Sequence, residues 1–371
     1  MTIRTHSAER HADRDGLDSA RVLIVDDSVV VRAVIARLID ASDRFSVVGA
    51  VGNVAAALAF LDRATVDFIL LDIEMPGIDG LSALPDLIAA GQGAKVLIVS
   101  SSADEGGATA VRAMALGAAE TLTKPSTSAL STRFGSALVN KLEMLCEYPA
   151  QMPPALVVRS PVLPTPPADT PPIRPVSTSD DYDIVAIGAS TGGIHALSQM
   201  FGQMPAGFRL PIVITQHLPA SFMPYFAAQI AVLAGRPCEV AVDRMRIRPG
   251  RIIIAPGDAH LKAVRLSEEG AAFRLTHEVV SSGCMPSVDP MLASLADVYG
   301  PRLLAVVLSG MGRDGAEGAR RVHDSGGCVV VQDQQSSVVW GMPGAIAASG
   351  IADAVLAPDA IGRLAATRRR P

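Results

Sequence analysis

The segment Gly188-Ala189-Ser190-Thr191-Gly192-Gly193 sets a hydroxyl among glycines, directly after the apolar run Ile184-Val185-Ala186-Ile187 and ahead of Ala196-Leu197. A sharp turn from strand to helix would lift Ser190 above the strand's carboxyl end as a nucleophile, in the G-x-S-x-G pattern. The same glycines and helix N-terminus would also suit a bound phosphate. The dinucleotide fingerprint fits poorly, because Ser190 stands where a second glycine would let a pyrophosphate approach.

A serine hydroxyl needs a base to take its proton and a third group to orient that base. Of the seven histidines, His6 and His11 lie in a polar N-terminal stretch, His277 and His323 in polar or helical contexts, and His195 on the helix after Ser190. His217 ends the apolar run Pro211-Ile212-Val213-Ile214-Thr215-Gln216, which delivers it to the same sheet edge as Ser190. His260, after Ala255-Pro256-Gly257-Asp258, is the competing base. Asp314 follows the run Leu303 to Ser309 within Gly310-Met311-Gly312-Arg313-Asp314-Gly315 and reads either as the orienting acid or as an ordinary turn aspartate. The order serine, histidine, aspartate differs from the serine, acid, histidine order of α/β-hydrolases.

A second set of chemistry-bearing residues stands nearer the N-terminus. Asp26 and Asp27 close the first expected strand, Asp72 closes the third, and Lys124 precedes Pro125 after the fifth. Carboxylates brought together at one sheet edge repel one another unless a hard cation such as Mg2+ neutralises them, and Mg2+ favours a few carboxylates plus phosphate oxygens. The pattern suits phosphorylation of an aspartate.

The elements that must position these residues alternate. Arg21 to Val25, Phe68 to Leu71, Lys95 to Val99 and Thr121 to Thr123 read as strands, with helical spacing at Ser28 to Ile39, Leu81 to Ala90 and Ala108 to Leu116. This rhythm indicates a parallel sheet wound on both faces. Prolines from Pro149 to Pro175 interrupt it and predict an extended spacer. The alternation resumes with Ile184 to Ile187, Leu210 to Ile214, Arg251 to Ala255, Ala271 to Leu275, Leu303 to Ser309 and Cys328 to Gln332, mostly continuous apolar runs expected of strands buried on both faces. The expected fold class is α/β, with two doubly wound parallel-sheet domains. The expected layout is a disordered tail over 1–20, a first domain over 21–146, a proline-rich linker over 147–181, a second domain over 182–366 and a tail over 367–371, with Arg368-Arg369-Arg370 solvated.

Bulk properties narrow the function. The chain has 371 residues, a net charge of -5 and 4% aromatic residues, so a nucleic-acid partner is not expected. Its apolar runs are too short to span a bilayer, and Met1 to Ala20 carries no apolar signal segment, so a cytoplasmic protein is expected. The four cysteines, Cys146, Cys238, Cys284 and Cys328, form no paired motif and read as structural or incidental thiols.

Asp26-Asp27-Ser28, Leu70-Leu71-Asp72-Ile73-Glu74-Met75-Pro76-Gly77-Ile78-Asp79-Gly80, Ser100 after its apolar run, and Thr123-Lys124-Pro125 together resemble the receiver domain of two-component response regulators. The resemblance implies that Asp72 accepts a phosphoryl group, that Asp26, Asp27 and Asp72 hold Mg2+, and that Ser100 and Lys124 bind phosphoryl oxygens. Thr121 departs from the pattern, since receivers usually carry an aromatic switch residue three positions before that lysine. Farther on, the Ser190 and His217 segments, Ala255-Pro256-Gly257-Asp258-Ala259-His260, Pro286-Ser287-Val288-Asp289, the Asp314 segment and Trp340-Gly341-Met342-Pro343 resemble the methylesterase domain of the CheB family.

Receiver, linker and esterase in this order resemble the whole CheB architecture. That likeness implies a flavodoxin-like receiver, a Rossmann-like C-terminal domain, and a hydrolase that demethylates glutamates and deamidates glutamines of methyl-accepting chemotaxis receptors. It also implies Ser190 as nucleophile, His217 as base, Asp314 as orienting acid, and Thr191 and the backbone N–H of Met311 as supports of His217 or of the oxyanion. No cofactor is expected for hydrolysis, a CheA-type histidine kinase is the expected phosphoryl source, contact with the membrane is expected only through the receptors, and a monomer is expected. The unphosphorylated receiver is expected to cover the esterase edge until Asp72 is phosphorylated, since the tether keeps the two at high effective concentration. The alternative readings are a non-catalytic response regulator with a partner-binding output domain and a general small-ester hydrolase.

Overall fold

The computed structural model describes residues 19–100, 106–124, 132–146, 182–267 and 270–371. Its first sheet joins β1 (Ala20–Val25), β2 (Phe45–Val51), β3 (Phe68–Leu71), β4 (Lys95–Ser100) and β5 (Glu120–Thr123) in the order β2-β1-β3-β4-β5, every pair parallel. Helices connect successive strands, and their starts are set by short polar side chains. Ser28 accepts a hydrogen bond from the Val31 N–H, Asn53 from Ala56 and Asp79 from Ser82, each satisfying a donor that the first helical turn leaves open. β3 is buried along its whole length, as a strand covered on both faces must be.

The second sheet contains β6 (Ile184–Ala189), β7 (Ile212–Gln216), β8 (Cys238–Val240), β9 (Ile252–Ile254), β12 (Leu303–Val307), β13 (Cys328–Gln332) and β14 (Ala354–Leu356), all parallel, in the order β14-β13-β12-β6-β7-β9-β8. Alternate residues of its central strands feed two separate cores, because side chains along a strand point to opposite faces. Val185, Ile187, Ile212 and Ile214 pack with Leu197, Met200, Phe226 and Ile361 on one face. Ile184, Ala186 and Val213 pack with Leu292, Leu295, Val322 and Ile346 on the other. β10 (His260–Arg265) and β11 (Ala271–Thr276) pair with each other outside this sheet.

Several expectations change here. Ala271 to Leu275 belongs to an antiparallel hairpin rather than the parallel sheet. The connection from Arg265 is too short for a parallel crossover, which needs a dozen or more residues. β8 and β14 are three-residue edge strands, too short to show a period in the sequence. Ala20 belongs to β1 rather than to the tail, while residues 1–18 and the spacer 147–181 lie outside the described residues. The C-terminal arginines are not simply solvated. A helix runs over Pro358–Thr367, then the Arg368 guanidinium donates to the Tyr182 carbonyl at 3.1 Å and that of Arg370 to the Pro301 carbonyl at 3.1 Å. Among the described residues, no helix is long and apolar enough to cross a membrane.

Ile187, in mid-β6, is fully buried. Ile187→Ala should therefore cost about 2–5 kcal/mol. The chain's one tryptophan, Trp340, donates its indole N–H to the Gln332 carbonyl beside this sheet. Its fluorescence isolates the second sheet's unfolding transition, whose urea midpoint should fall clearly in the variant; an unchanged midpoint would remove β6 from the core.

Candidate active site

In an open parallel sheet, ligands collect beyond the carboxyl ends of the strands where the strand order reverses. In the first sheet the reversal falls between β1 and β3, whose last residues Val25 and Leu71 are register partners, so Asp26 and Asp72 emerge side by side. Lys124 follows β5, its backbone N–H donating to the Ser100 carbonyl at 2.7 Å, which places Ser100 and Lys124 on that edge. The Lys124 ammonium bridges the two buried carboxylates, 2.6 Å from Asp26 Oδ2 and 2.7 Å from Asp72 Oδ2. Burial, with Asp26 close by, raises the Asp72 pKa despite the opposing lysine.

Oxygen atoms of Asp26, Asp27 and Asp72 lie within 4.8 Å of one another. Three carboxylates against one ammonium leave net negative charge, and an all-oxygen donor set is what Mg2+ takes, so the residues present fit that ion. Thr121 sits half-buried on β5, with its backbone N–H on Glu120 Oε1. Pro125 lies outside the described residues.

In the second sheet the reversal falls between β12 and β6, and Ser190 follows β6 directly. Its turn is stitched on both sides. The Ser190 N–H donates to the Ser309 carbonyl at 3.0 Å, while its carbonyl accepts from the Gly193 N–H at 2.8 Å and from Gln216 Nε2 at 2.9 Å. Gly192 has φ +76°, a left-handed conformation that glycine adopts without strain, and the helix Gly193–Phe201 starts immediately after it. Gly310, at the end of the β12 segment, is needed for space: a Cβ there would lie 2.8 Å from the Ser190 Cβ.

His217 follows β7 one residue past the register pair Ala189–Gln216, and its backbone N–H donates to the Ala189 carbonyl at 3.1 Å. Ser190 and His217 are thus lateral neighbours on adjoining strands. The His217 Nε2–H donates to Asp314 Oδ2 at 2.7 Å. Asp314 is 1% exposed and accepts three further hydrogen bonds, from Ser287 Oγ at 2.6 Å, the Val288 N–H at 2.7 Å and the Asp289 N–H at 3.4 Å. Ser287 caps the helix Val288–Tyr299, so the carboxylate occupies the anion-favouring end of a 12-residue helix.

Burial raises the Asp314 pKa, but the hydrogen bonds from His217, Ser287 and Val288 outweigh it and hold the carboxyl below the usual carboxylate range. Burial likewise lowers that of His217, while the contacts with Asp314 and Cys284 push the imidazole up to about 9.

Of the two imidazoles the sequence leaves open, His217 is the one beside Ser190. His260 is fully buried and has both nitrogens engaged, Nδ1 accepting from the Ser287 N–H at 3.0 Å and Nε2–H donating to the Glu278 carbonyl at 2.9 Å. It fixes the turn that holds Asp314. Thr191 is anchored through its carbonyl, which accepts from Ser309 Oγ at 2.7 Å. Neither Thr191 nor Met311 hydrogen-bonds His217 among the described residues.

Sequence reasoning assigned no part to several residues here. Gln216 and Ser309 brace the Ser190 turn, and Gln332 braces Ser309 by accepting its N–H at 2.7 Å. Their one legible signal is a polar residue at the end of an apolar strand. The Cys284 sulfur lies within 4.8 Å of ligand atoms of His217 and Asp314. Nothing in the linear order announces that meeting.

Comparison with known proteins gives a consistent picture. Residues 185–364 match the family model of the CheB methylesterase, and residues 22–133 that of the response regulator receiver domain. A protein-glutamate methylesterase/protein-glutamine glutaminase 1 of Paramagnetospirillum magneticum is 43% identical over 356 residues, covering 91% of this chain and 93% of that protein. Its namesake in Rhodospirillum rubrum is 41% identical over 376 residues, with 96% of each covered. The crystal structure of the Thermotoga maritima CheB methylesterase catalytic domain aligns at 34% identity with a TM-score of 0.49, covering 50% of this chain and 98% of that one.

The His217 and Asp314 pairing has a direct readout. With the ring pushed up to about 9, His217 carries its second proton at neutral pH and releases it only as the pH climbs through that value. Nuclear magnetic resonance titration of the imidazole should find this alkaline midpoint in the parent protein. Asp314→Asn removes the carboxylate while burial persists, so its midpoint should fall; an unmoved one would mean that Asp314 does not set the charge of the ring.

Proposed function

The chain belongs to the CheB family of protein-glutamate methylesterases/protein-glutamine glutaminases, and from that membership we propose how its residues divide the work. It is a phosphorylation-activated hydrolase of sensory adaptation that removes methyl esters from glutamates of methyl-accepting chemotaxis receptors and deamidates selected receptor glutamines. The observation that carries the assignment is the juxtaposition of Ser190 and His217 on adjoining strand ends, with the His217 Nε2–H 2.7 Å from a buried aspartate.

Ser190 Oγ attacks the ester carbonyl carbon while His217 Nδ1 takes the hydroxyl proton. The imidazolium so formed is stabilised by Asp314, which also holds the ring in the tautomer the attack requires. As the tetrahedral intermediate collapses, His217 returns the proton to the departing methoxy oxygen and methanol leaves. Water, deprotonated by the same ring, then hydrolyses the acyl-enzyme and frees the glutamate. With a glutamine substrate the leaving group is ammonia. The strengthened imidazolium favours the charged form made during attack, at the cost of a smaller resting fraction of free base. Backbone N–H groups around Thr191 and Met311 are the donors we assign to the oxyanion, where removing one donor from such a hole costs roughly 10²–10³ in turnover.

Control sits on the first sheet. Asp72 accepts a phosphoryl group from a CheA-type histidine kinase, and Ser100 and Lys124 receive its oxygens. Asp26, Asp27 and Asp72 would hold Mg2+, which supplies positive charge against those oxygens. Phosphorylation raises the activity of the hydrolase, which works at the cytoplasmic ends of its receptors.

Methanol release from methylated receptor membranes, with and without acetyl phosphate and Mg2+, tests this reading. The parent chain should release methanol faster when phosphorylated. Ser190→Ala should lose up to about 10⁶ in turnover yet still take up phosphate at Asp72, whereas Asp72→Asn should lose the response to acetyl phosphate. Methanol release that survives in Ser190→Ala would move the nucleophile elsewhere. A chain that never releases methanol and takes no serine-directed acylating probe would favour a non-catalytic output domain.

A further inference from the structure

The catalytic edge carries one group that ester hydrolysis does not use. Cys284 lies half-buried between β11 and the helix Val288–Tyr299, with its backbone N–H donating to Ser282 Oγ at 3.3 Å. The cysteine sulfur, a His217 ring nitrogen and an Asp314 carboxylate oxygen lie within 4.8 Å of one another. Sulfur, imidazole nitrogen and carboxylate oxygen are the donors zinc sites use, whereas Mg2+ and Ca2+ take oxygen alone. Bonds of about 2.0–2.3 Å to a tetrahedral ion set donors about 3.5 Å apart. Side-chain rotation at Cys284 and His217 can close a gap of that size. The His217 side chain is 17% exposed, so an ion can reach it from solvent.

We propose that His217, Cys284 and Asp314 form a binding site for a thiophilic divalent cation of the Zn2+ type, and that occupancy reversibly shuts off hydrolysis. On binding, the Cys284 S–H bond is replaced by a sulfur–metal bond and the proton leaves to solvent, with no change of oxidation state. Water completes the tetrahedron. The inhibitory half rests on the assignment of His217 as base. A ring whose lone pair is held by a metal cannot accept the Ser190 proton, and an Asp314 oxygen drawn to the ion no longer orients that ring.

The test uses the full chain at fixed pH, with Co2+ as a spectroscopic probe and Zn2+ as the inhibitor. Co2+ should produce a near-ultraviolet sulfur-to-metal charge-transfer band that Zn2+ abolishes and that Cys284→Ser and Cys284→Ala both lack, with Trp340 fluorescence checking that each variant is folded. Oxygen-only binding at Asp26, Asp27 and Asp72 gives no such band. Zn2+ should slow methanol release, EDTA should restore it, and loss of the thiol should raise the half-inhibiting concentration by at least roughly 10–100-fold, each variant compared with its own metal-free rate. A band that persists without Cys284, or no band at all, overturns the site. A Cys284-dependent band with hydrolysis untouched overturns the inhibition. Should no sample release methanol, the function assigned above fails, and the band alone decides the metal site.

Discussion

A carboxylate shut away from water must be met by donors, and Asp314 takes four at once. Two come from the first backbone N–H groups of the helix Val288–Tyr299, which have no partner within the helix itself. One comes from the Ser287 cap, and the last from His217. Taking away one partner of such a buried pair costs about 3–5 kcal/mol, because the remaining charge is left uncompensated. The requirement that satisfies Asp314 therefore also determines where the imidazole stands, which nitrogen it turns to the acid and how strongly it holds a proton. His260 extends the constraint outward by fixing the Ser287 turn.

Both sheets use the same topological device for different chemistry. Where the strand order reverses, successive connections leave in opposite directions and open a crevice over the strand ends. In the first sheet three aspartates and a lysine fill that place, and their net negative charge suits a hard cation. In the second the crevice holds a hydroxyl, an imidazole and a buried acid across the ends of β12, β6 and β7. Side chains and local charge, rather than fold, separate the two activities.

Accuracy at Ser190 comes from small residues and buried amides. Gly310 lets the β12 end approach Ser190, and Gly192 turns the chain into its helix. Gln216, Ser309 and Gln332 tie neighbouring strand ends together through hydrogen bonds. Such networks are costly when half satisfied and rigid when complete, so they suit a site whose reacting groups must be held within fractions of an ångström.

Much of this was legible in one dimension. Local rules act over a few residues, so the β-branched runs and the glycine-framed Ser190 could be read directly. The acidic set with Lys124 was legible too, since each member follows an expected strand in an ordered series. The hairpin β10–β11 was misread because a strand's sequence does not state its partner, and β8 and β14 were too short to show a period. The sequence by itself determined which residues end strands and what chemistry each side chain can perform. Only the tertiary structure set His217, rather than His260, beside the strand end that carries Ser190, turned Asp314 from a possible turn residue into a buried acid, and brought Cys284 close to His217 and Asp314. Those outcomes depend on burial and on contacts between residues from 26 to 97 positions apart, which no local pattern encodes.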